Sequence, residues 1–213
     1  LYLSAMRIGY NADAAFCGIL LLAMSPFFVI KMTEVRPDVP AIMALCFALY
    51  LLFDVRDCAG GACVRSLIFA LALSIVVLLS QKYLIVSIFC LFLFCLNRGF
   101  RGGLLAVIVF LIPIFFYFVI FFLLGAGKEL VASVVVMNMN WKYGFSWTIY
   151  LSELFLSSPM LVVSGIFSLL ANFADRRRRR FSFGLLFLLV GGFMQVFLIP
   201  VPYRQTFLPL LFI

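Results

Sequence analysis

Of 213 residues, 67% are hydrophobic, 27 are phenylalanine, 11% are charged and none is histidine. Soluble domains carry about 25% charged residues, so this composition and a mean hydropathy of +1.25 exclude an ordinary soluble domain and read as an integral membrane protein. The net charge of +8 does not point to nucleic acid: five of the sixteen cations form the single run Arg176 to Arg180, without an aromatic-interleaved basic face, and such a run suits a cytoplasmic anchor beside anionic lipid headgroups.

The chain opens on Leu1, shows no signal-peptide pattern and stops at Ile213 inside an apolar run. Residues 1–213 are therefore expected to be part of one transmembrane domain that is incomplete at both ends. A membrane-spanning helix needs about 20 mostly apolar residues, fewer where the bilayer thins. Apolar runs predict spans near 12–30, 38–54, 65–80, 83–97, 103–124, 147–171 and 183–199, and the start of an eighth near Thr206. The expected fold is all-α, a polytopic transmembrane helical bundle of about seven to eight spans.

Between the first two spans, Glu34-Val35-Arg36-Pro37-Asp38-Val39-Pro40 places three charges and two prolines in seven positions. Charges in hydrocarbon are expensive, so those beside spans face a ligand, a partner or water. Pro37 and Pro40 fit the first turn of the next helix. A carboxylate there can act as general base, coordinate a divalent ion or hold a neighbouring arginine. The plainer alternative is an interfacial turn whose charges satisfy one another.

Cys17, Cys46, Cys90 and Cys95 fall in apolar runs and read as small core residues, while Cys58 and Cys63 bracket Ala-Gly-Gly-Ala in a loop. That spacing allows a small disulfide or a metal pair, but without histidine or a second cysteine pair a zinc site is not expected. The third and fourth spans are short and meet at Ser80-Gln81-Lys82-Tyr83; merging them would bury Lys82 in hydrocarbon, so two helices are expected. With every segment crossing, one face carries Arg56, Arg65, Arg98, Arg101 and Arg176 to Arg180. The other carries Lys31, Arg36, Lys82, Lys128, Lys142 and Arg204. The nine-against-six excess, which rests on the arginine run, makes the first face cytoplasmic.

Glu34, Arg36, Asp38, Gln81, Lys82, Trp141, Lys142 and Arg204 then share the non-cytoplasmic face. The forks of Arg36 and Arg204 and the point charge of Lys82 suit a phosphate or pyrophosphate, with snorkelling anchors as the alternative. In the polar connection 125–148, Trp141 and Tyr143 form an interfacial belt or stack on a sugar. Glu153 lies inside the next span, upstream of a break at Ser157-Ser158-Pro159. Gly102-Gly103, Gly125-Ala126-Gly127 and Gly191-Gly192 lack the context of a phosphate loop and read as loop or helix-packing positions.

Met24-Ser25-Pro26, the Glu34 to Pro40 knot, Ser80-Gln81-Lys82 and Tyr203-Arg204-Gln205-Thr206-Phe207-Leu208-Pro209 together resemble the GT-C superfamily of polytopic glycosyltransferases. The likeness is to its bacterial branch of protein O-mannosyltransferase-like, aminoarabinose-transferase-like and Rgt-type enzymes. The resemblance implies a glycosyltransferase of the bacterial inner membrane that moves a sugar from a polyprenyl-phosphate-linked donor to a lipid, glycan or protein acceptor on the non-cytoplasmic face. It implies Arg36, Gln81, Lys82 and Arg204 around the donor phosphate, Glu34 and Asp38 as catalytic carboxylates, and Trp141 and Tyr143 against sugar or acceptor. A principal catalytic acid is expected upstream of Leu1. No cofactor is required, and some members of the superfamily use a divalent metal. The competing classes are a transporter or flippase of an anionic lipid-linked solute and a non-catalytic assembly subunit.

Overall fold

The computed structural model describes residues 2–7, 10–25, 38–53, 62–133, 159–174 and 179–198, together with the isolated positions 29, 148, 152, 155 and 156. Every regular element among them is helical. In chain order these are α1 (Tyr2–Arg7), α2 (Ala12–Met24), α3 (Asp38–Phe53), α4 (Ala62–Leu79), a 3-10 turn (Gln81–Tyr83), α5 (Leu84–Leu123), α6 (Gly127–Val131), α7 (Pro159–Ala174) and α8 (Arg179–Leu198).

Local chemistry sets the boundaries of α2. Asn11 caps α2, its Oδ1 accepting from the Ala14 N–H at 2.8 Å. The same helix stops at Met24, short of the predicted residue 30, because Ser25 turns extended at ψ 121° and the Pro26 that follows disfavours helical geometry there. α3 begins at Asp38 and ends at Phe53, close to the expected 38–54. Of the break expected at Ser157-Ser158-Pro159, the two serines lie outside the described residues; Pro159 is the first residue of α7, a position where its missing N–H is not needed. Helix α8 is described from Arg179, so Arg179 and Arg180 have helical backbone ahead of the span predicted from 183. Helix α4 begins at Ala62, three residues early, which places Cys63 in its first turn rather than in a loop.

Between Ala62 and Leu123 the chain reverses twice. After α4 it leaves helical geometry at Ser80 (φ −152°, ψ 103°) and passes through the 3-10 turn into α5, so the two helices are separate, as expected. Phe69 and Phe94, each eleven residues from this turn, stack with ring centroids 4.3 Å apart, which makes the pair an antiparallel hairpin. The second reversal lies within α5. Gly99 has φ 73° and ψ 176°, a region open essentially to glycine alone. It splits α5 into limbs spanning 84–98 and 100–123. A Cβ built on Gly103 would lie 2.9 Å from the Cys95 Cβ, whereas residues eight apart in a straight helix are separated by about 12 Å. The limbs therefore fold back on each other, and the loop expected at 97–102 contracts to a single glycine.

These reversals lay α4 against both α3 and α5, while α8 covers the first limb of α5. Phe187 of α8 sits between Phe89 and Phe92, with centroids 4.7 and 5.5 Å away, and Gly191 leaves the room that Phe89 fills. In the second limb, Pro113 provides no N–H for the carbonyl one turn before it. The adjacent carbonyl of Phe110 lies 2.8 Å from the Ser74 hydroxyl of α4, which also reaches Ala70 O at 2.9 Å and can donate to one at a time.

The core is apolar, but so is much of the outside, and several polar side chains are buried. Ser66, Ser74, Ser87, Ser182 and Asn172 are buried, whereas Met24, Met43, Leu96, Phe100, Phe115, Phe167 and Leu123 are exposed. By length and composition one helical stretch, Gln81–Leu123, is long and apolar enough to cross a membrane, and the other apolar helices are shorter. Because the chain folds back at Gly99, the limb 100–123 has that reach by itself, about 36 Å at 1.5 Å per residue.

The Gly99 reversal makes a direct prediction. Gly99→Ala should destabilise the protein by about 1 to 3 kcal/mol, and Gly103→Leu should disrupt the hairpin by striking Cys95. Gly18→Ala, whose added methyl meets nothing within 4 Å, should be neutral or stabilising. Thermal unfolding of the three purified variants in one detergent gives the ranking.

Candidate functional site

Asp38 is the first residue of α3, where a carboxylate is favoured by the positive end of the helix. Ser80 and Lys82 belong to the turn between α4 and α5. Ser80 closes α4 by donating its N–H to Val76 O at 2.9 Å, and the Tyr83 N–H closes the turn on Ser80 O at 3.1 Å. Along the turn the side chains diverge: Gln81 is exposed, Lys82 half-buried and Tyr83 wholly buried. Tyr83 enters the same core as Ala41, Ile42 and Leu45 of α3. That anchor fixes the turn against the start of α3.

The two sequence-distant segments meet on the Asp38 carboxylate. The Ser80 hydroxyl donates to Asp38 Oδ1 at 2.7 Å. Lys82 Nζ stands 3.6 Å from Asp38 Oδ2, with the lysine side chain 29% exposed and the aspartate 6%. A direct ammonium–carboxylate hydrogen bond is about 2.7 to 2.9 Å, so Lys82 pairs by charge without the short contact. The carboxylate is thus covered, with one oxygen held by Ser80 and the other facing a cation. The ammonium keeps part of its surface toward the outside and can meet an anion arriving at this end of the helices.

Of the residues expected at the site, Asp38 and Lys82 are brought together and Gln81 stands beside them on the same turn. Glu34, Arg36, Trp141, Tyr143 and Arg204 lie outside the described residues, as do Cys58 and Glu153. No group of three potential metal ligands gathers among the described residues. Ser80 was expected only as part of a helix end, and its direct bond to the carboxylate comes from the fold.

A second polar cluster escaped sequence reasoning. Tyr10, in the connection between α1 and α2, shares a hydrogen bond with Ser168 at 2.5 Å, either hydroxyl donating, and accepts one from the Asn172 amide. Ser168 and Asn172 are one helical turn apart on α7. The signal was present as Ser164, Ser168 and Asn172 at intervals of four, which place three polar groups on one face of an apolar helix. The cluster ties the start of the chain to α7.

Removal of the Ser80 hydroxyl tests how firmly the Asp38 carboxylate is held. Ser80→Ala should lower stability by about 1.5 to 3 kcal/mol, the usual scale for a hydrogen bond to a charged group. In an Asp38→Asn background the same change should cost less, as a double-mutant cycle by thermal unfolding would read. Comparison of the chain with protein-family models, curated proteins and solved structures finds no match.

Proposed function

We propose that this chain is part of a polytopic membrane glycosyltransferase of GT-C type. It would move a sugar from a polyprenyl-phosphate donor to a hydroxyl or amine acceptor at the non-cytoplasmic face. The observation that carries the proposal is the partly exposed ammonium of Lys82, held over a covered carboxylate where the most apolar helix begins. The ammonium that neutralises Asp38 also suits a lipid-linked anion, whose phosphate remains at the boundary while its prenyl chain lies in hydrocarbon.

The membrane setting is supported by the outward-facing apolar side chains and by the limb 100–123, since a soluble monomer rarely exposes contiguous apolar patches beyond a few hundred Å². Several of the other helices are short for a full crossing, and spans of this kind are accommodated by local thinning of the bilayer. Asp38 and the 80–83 turn lie at one end of the α3, α4 and α5 layer. Arg65 and Arg98, each fifteen residues from that turn, lie toward the other. That separation is the one the alternating topology requires.

In the transfer, the acceptor oxygen bonds to the anomeric carbon as the bond from that carbon to the phosphate oxygen breaks. The phosphate leaves with the electron pair, and the acceptor proton passes to a carboxylate. Lys82, with Arg36 and Arg204, would stabilise the charge left on the phosphate. Gln81 would add a hydrogen bond, and Trp141 and Tyr143 would border the sugar. Of the carboxylates, Asp38 is engaged by Ser80 and Lys82, so the proton-accepting role falls to Glu34 or to an acid elsewhere in the protein. No organic cofactor enters these steps.

Two experiments bear on the proposal. An impermeant thiol reagent applied to intact cells should leave Cys58 and Cys63 unlabelled, since both would lie at the face of the arginine run; strong labelling would reverse the topology. Purified full-length protein should transfer sugar from labelled polyprenyl-phosphate donors, with Glu34→Gln, Arg36→Ala and Lys82→Ala each slowing it about a hundredfold or more while membrane insertion persists. Normal turnover in all three variants would remove the site assignment. Movement of an intact solute across liposomes without transfer would favour a transporter.

A further inference from the structure

Three helical segments begin at the end of the molecule away from Asp38: α4 at Ala62, the second limb of α5 after Gly99, and α8. A helix start carries the positive end of the peptide dipoles, so acids are favoured in its first turn and cations disfavoured. The starts of α2, α3 and α6 follow that rule with Asp13, Asp38 and Glu129. The three at this end break it. They carry Arg65 in α4, Arg101 in the second limb, and Arg179 and Arg180 in α8, with no acid in any first turn.

Packing brings these starts to one level. Phe69 and Phe94 stack with centroids 4.3 Å apart. Arg65 lies four residues before the first and Arg98 four after the second, so each stands one turn further toward this end, on the same faces of α4 and α5 as the stacked rings. Arg98 closes the first limb with its guanidinium carbon 5.9 Å from the centre of the Phe94 ring, and Arg101 follows across the reversal at Gly99. Helix α8 runs opposite to the first limb, since Gly191 packs on Phe89 and Gly184 on Leu93, so its start lies beside the same reversal. The helices that finish here, α3, the first limb and α7, bring negative dipole ends, so the arginines rather than the dipoles make this end positive. Neither Arg65 nor Arg98 is without a partner, and the site does not require it. On the alternating topology this face has nine arginines against at most four carboxylates, Asp13, Asp54, Asp57 and Asp175. However these pair, positive charge is left over.

The surface around the reversal is apolar. Phe100, between Arg98 and Arg101 in the chain, is 84% exposed, and Leu96 and Leu104, four residues to either side, are exposed as well. Positive charge beside outward-facing hydrocarbon matches an anionic phospholipid, whose phosphate meets guanidinium groups while its acyl chains cover the apolar side chains. We infer that Arg65, Arg98 and Arg101 form a binding site for the headgroup phosphate of such a lipid, with its chains against Leu96, Phe100 and Leu104. A phosphate shared by α4 and both limbs of α5 ties the Gly99 reversal together, so the lipid stabilises the fold. The site lies at the opposite end from Lys82 and stands apart from the glycosyltransferase reading.

The test is binding of dioctanoyl phosphatidylglycerol to the purified full-length protein in a neutral detergent, read from the rise in unfolding temperature as lipid is added. Wild type should bind it at least about tenfold more tightly than dioctanoyl phosphatidylcholine or glycerol 3-phosphate. Arg101→Gln, a change at an exposed position, should weaken binding about fivefold, the usual scale for one cation at an anionic surface. Arg65→Gln combined with Arg101→Gln should cost about tenfold or more. Phe100→Ser keeps every charge and should weaken binding about threefold through lost chain contact. Replacing Arg176, Arg177 and Arg178 together by glutamine removes more charge from outside the site, and screening should hold that loss below about twofold.

Equal binding of phosphatidylcholine would remove the anion site, and equal binding of glycerol 3-phosphate would remove the lipid. A loss in the triple variant as large as in the double one would replace the site by diffuse attraction to the arginine face. Wild-type binding by Arg101→Gln and by the double variant would leave these arginines a structural role alone. If Arg65→Gln does not fold, Arg101→Gln and Phe100→Ser decide the matter by themselves.

Discussion

Asp38 begins α3 with a negative charge that an apolar interior cannot hold alone, and this end of the molecule is organised around giving it partners. The carboxylate finds the positive end of its own helix, the hydroxyl of Ser80 and the ammonium of Lys82. Two of these come from a turn more than forty residues away, so satisfying the charge also fixes the α4–α5 hairpin against α3. A buried ion missing one partner is far less stable than the complete set. Closure of the turn and pairing of the charge are therefore one event rather than two.

Away from that end, small residues and hydroxyls supplement a core of large apolar side chains that includes Ile42, Leu45, Phe69, Leu73 and Phe94. In the membrane setting proposed here, apolar side chains gain little by leaving lipid for one another, and close backbone approach has to provide the cohesion. Gly103 lies against Cys95 and Gly191 against Phe89 at separations that no larger residue would permit. Ser74 reaches across from α4 to the carbonyl of Phe110, near the place where Pro113 interrupts the hydrogen bonding of its helix. Phe100, Phe115, Leu123 and Phe167 turn outward, where hydrocarbon would receive them.

The readable parts of the chain were those governed by local chemistry. Asp38 and Pro40 mark the start of α3, Pro159 marks the start of α7, and Lys82 argues for a break between α4 and α5 because a continuous helix would carry it into hydrocarbon. The readings that missed did so for equally local reasons. Predicted span 12–30 leaves helical geometry at Ser25, while Val29 is again helical with its N–H on Ser25 O at 3.0 Å. A polar loop was expected at 97–102 because Asn97, Arg98 and Arg101 suggest several residues outside a helix. A single glycine with positive φ completes the reversal instead, and charge density carries no information about how tightly a chain can turn. The Ser164, Ser168 and Asn172 stripe was visible in the sequence, but its partner Tyr10 lies more than 150 residues away and no periodicity could name it.

The long apolar runs made helices the expected elements, and the few charged groups left apolar side chains to make up much of the outside. The breaks between the runs placed Asp38 and Lys82 near helix ends. Whether they meet was not decidable from spacing. Helical runs of almost equal apolarity pack in many registers with similar burial, so pattern does not choose between neighbours. The stacking of Phe69 on Phe94, the anchoring of Tyr83 in the core and the reversal at Gly99 choose one register. That register alone sets the Ser80 hydroxyl and the Lys82 ammonium on the two oxygens of one carboxylate, because contacts between distant segments are fixed by packing geometry and not by the order of residues in the chain.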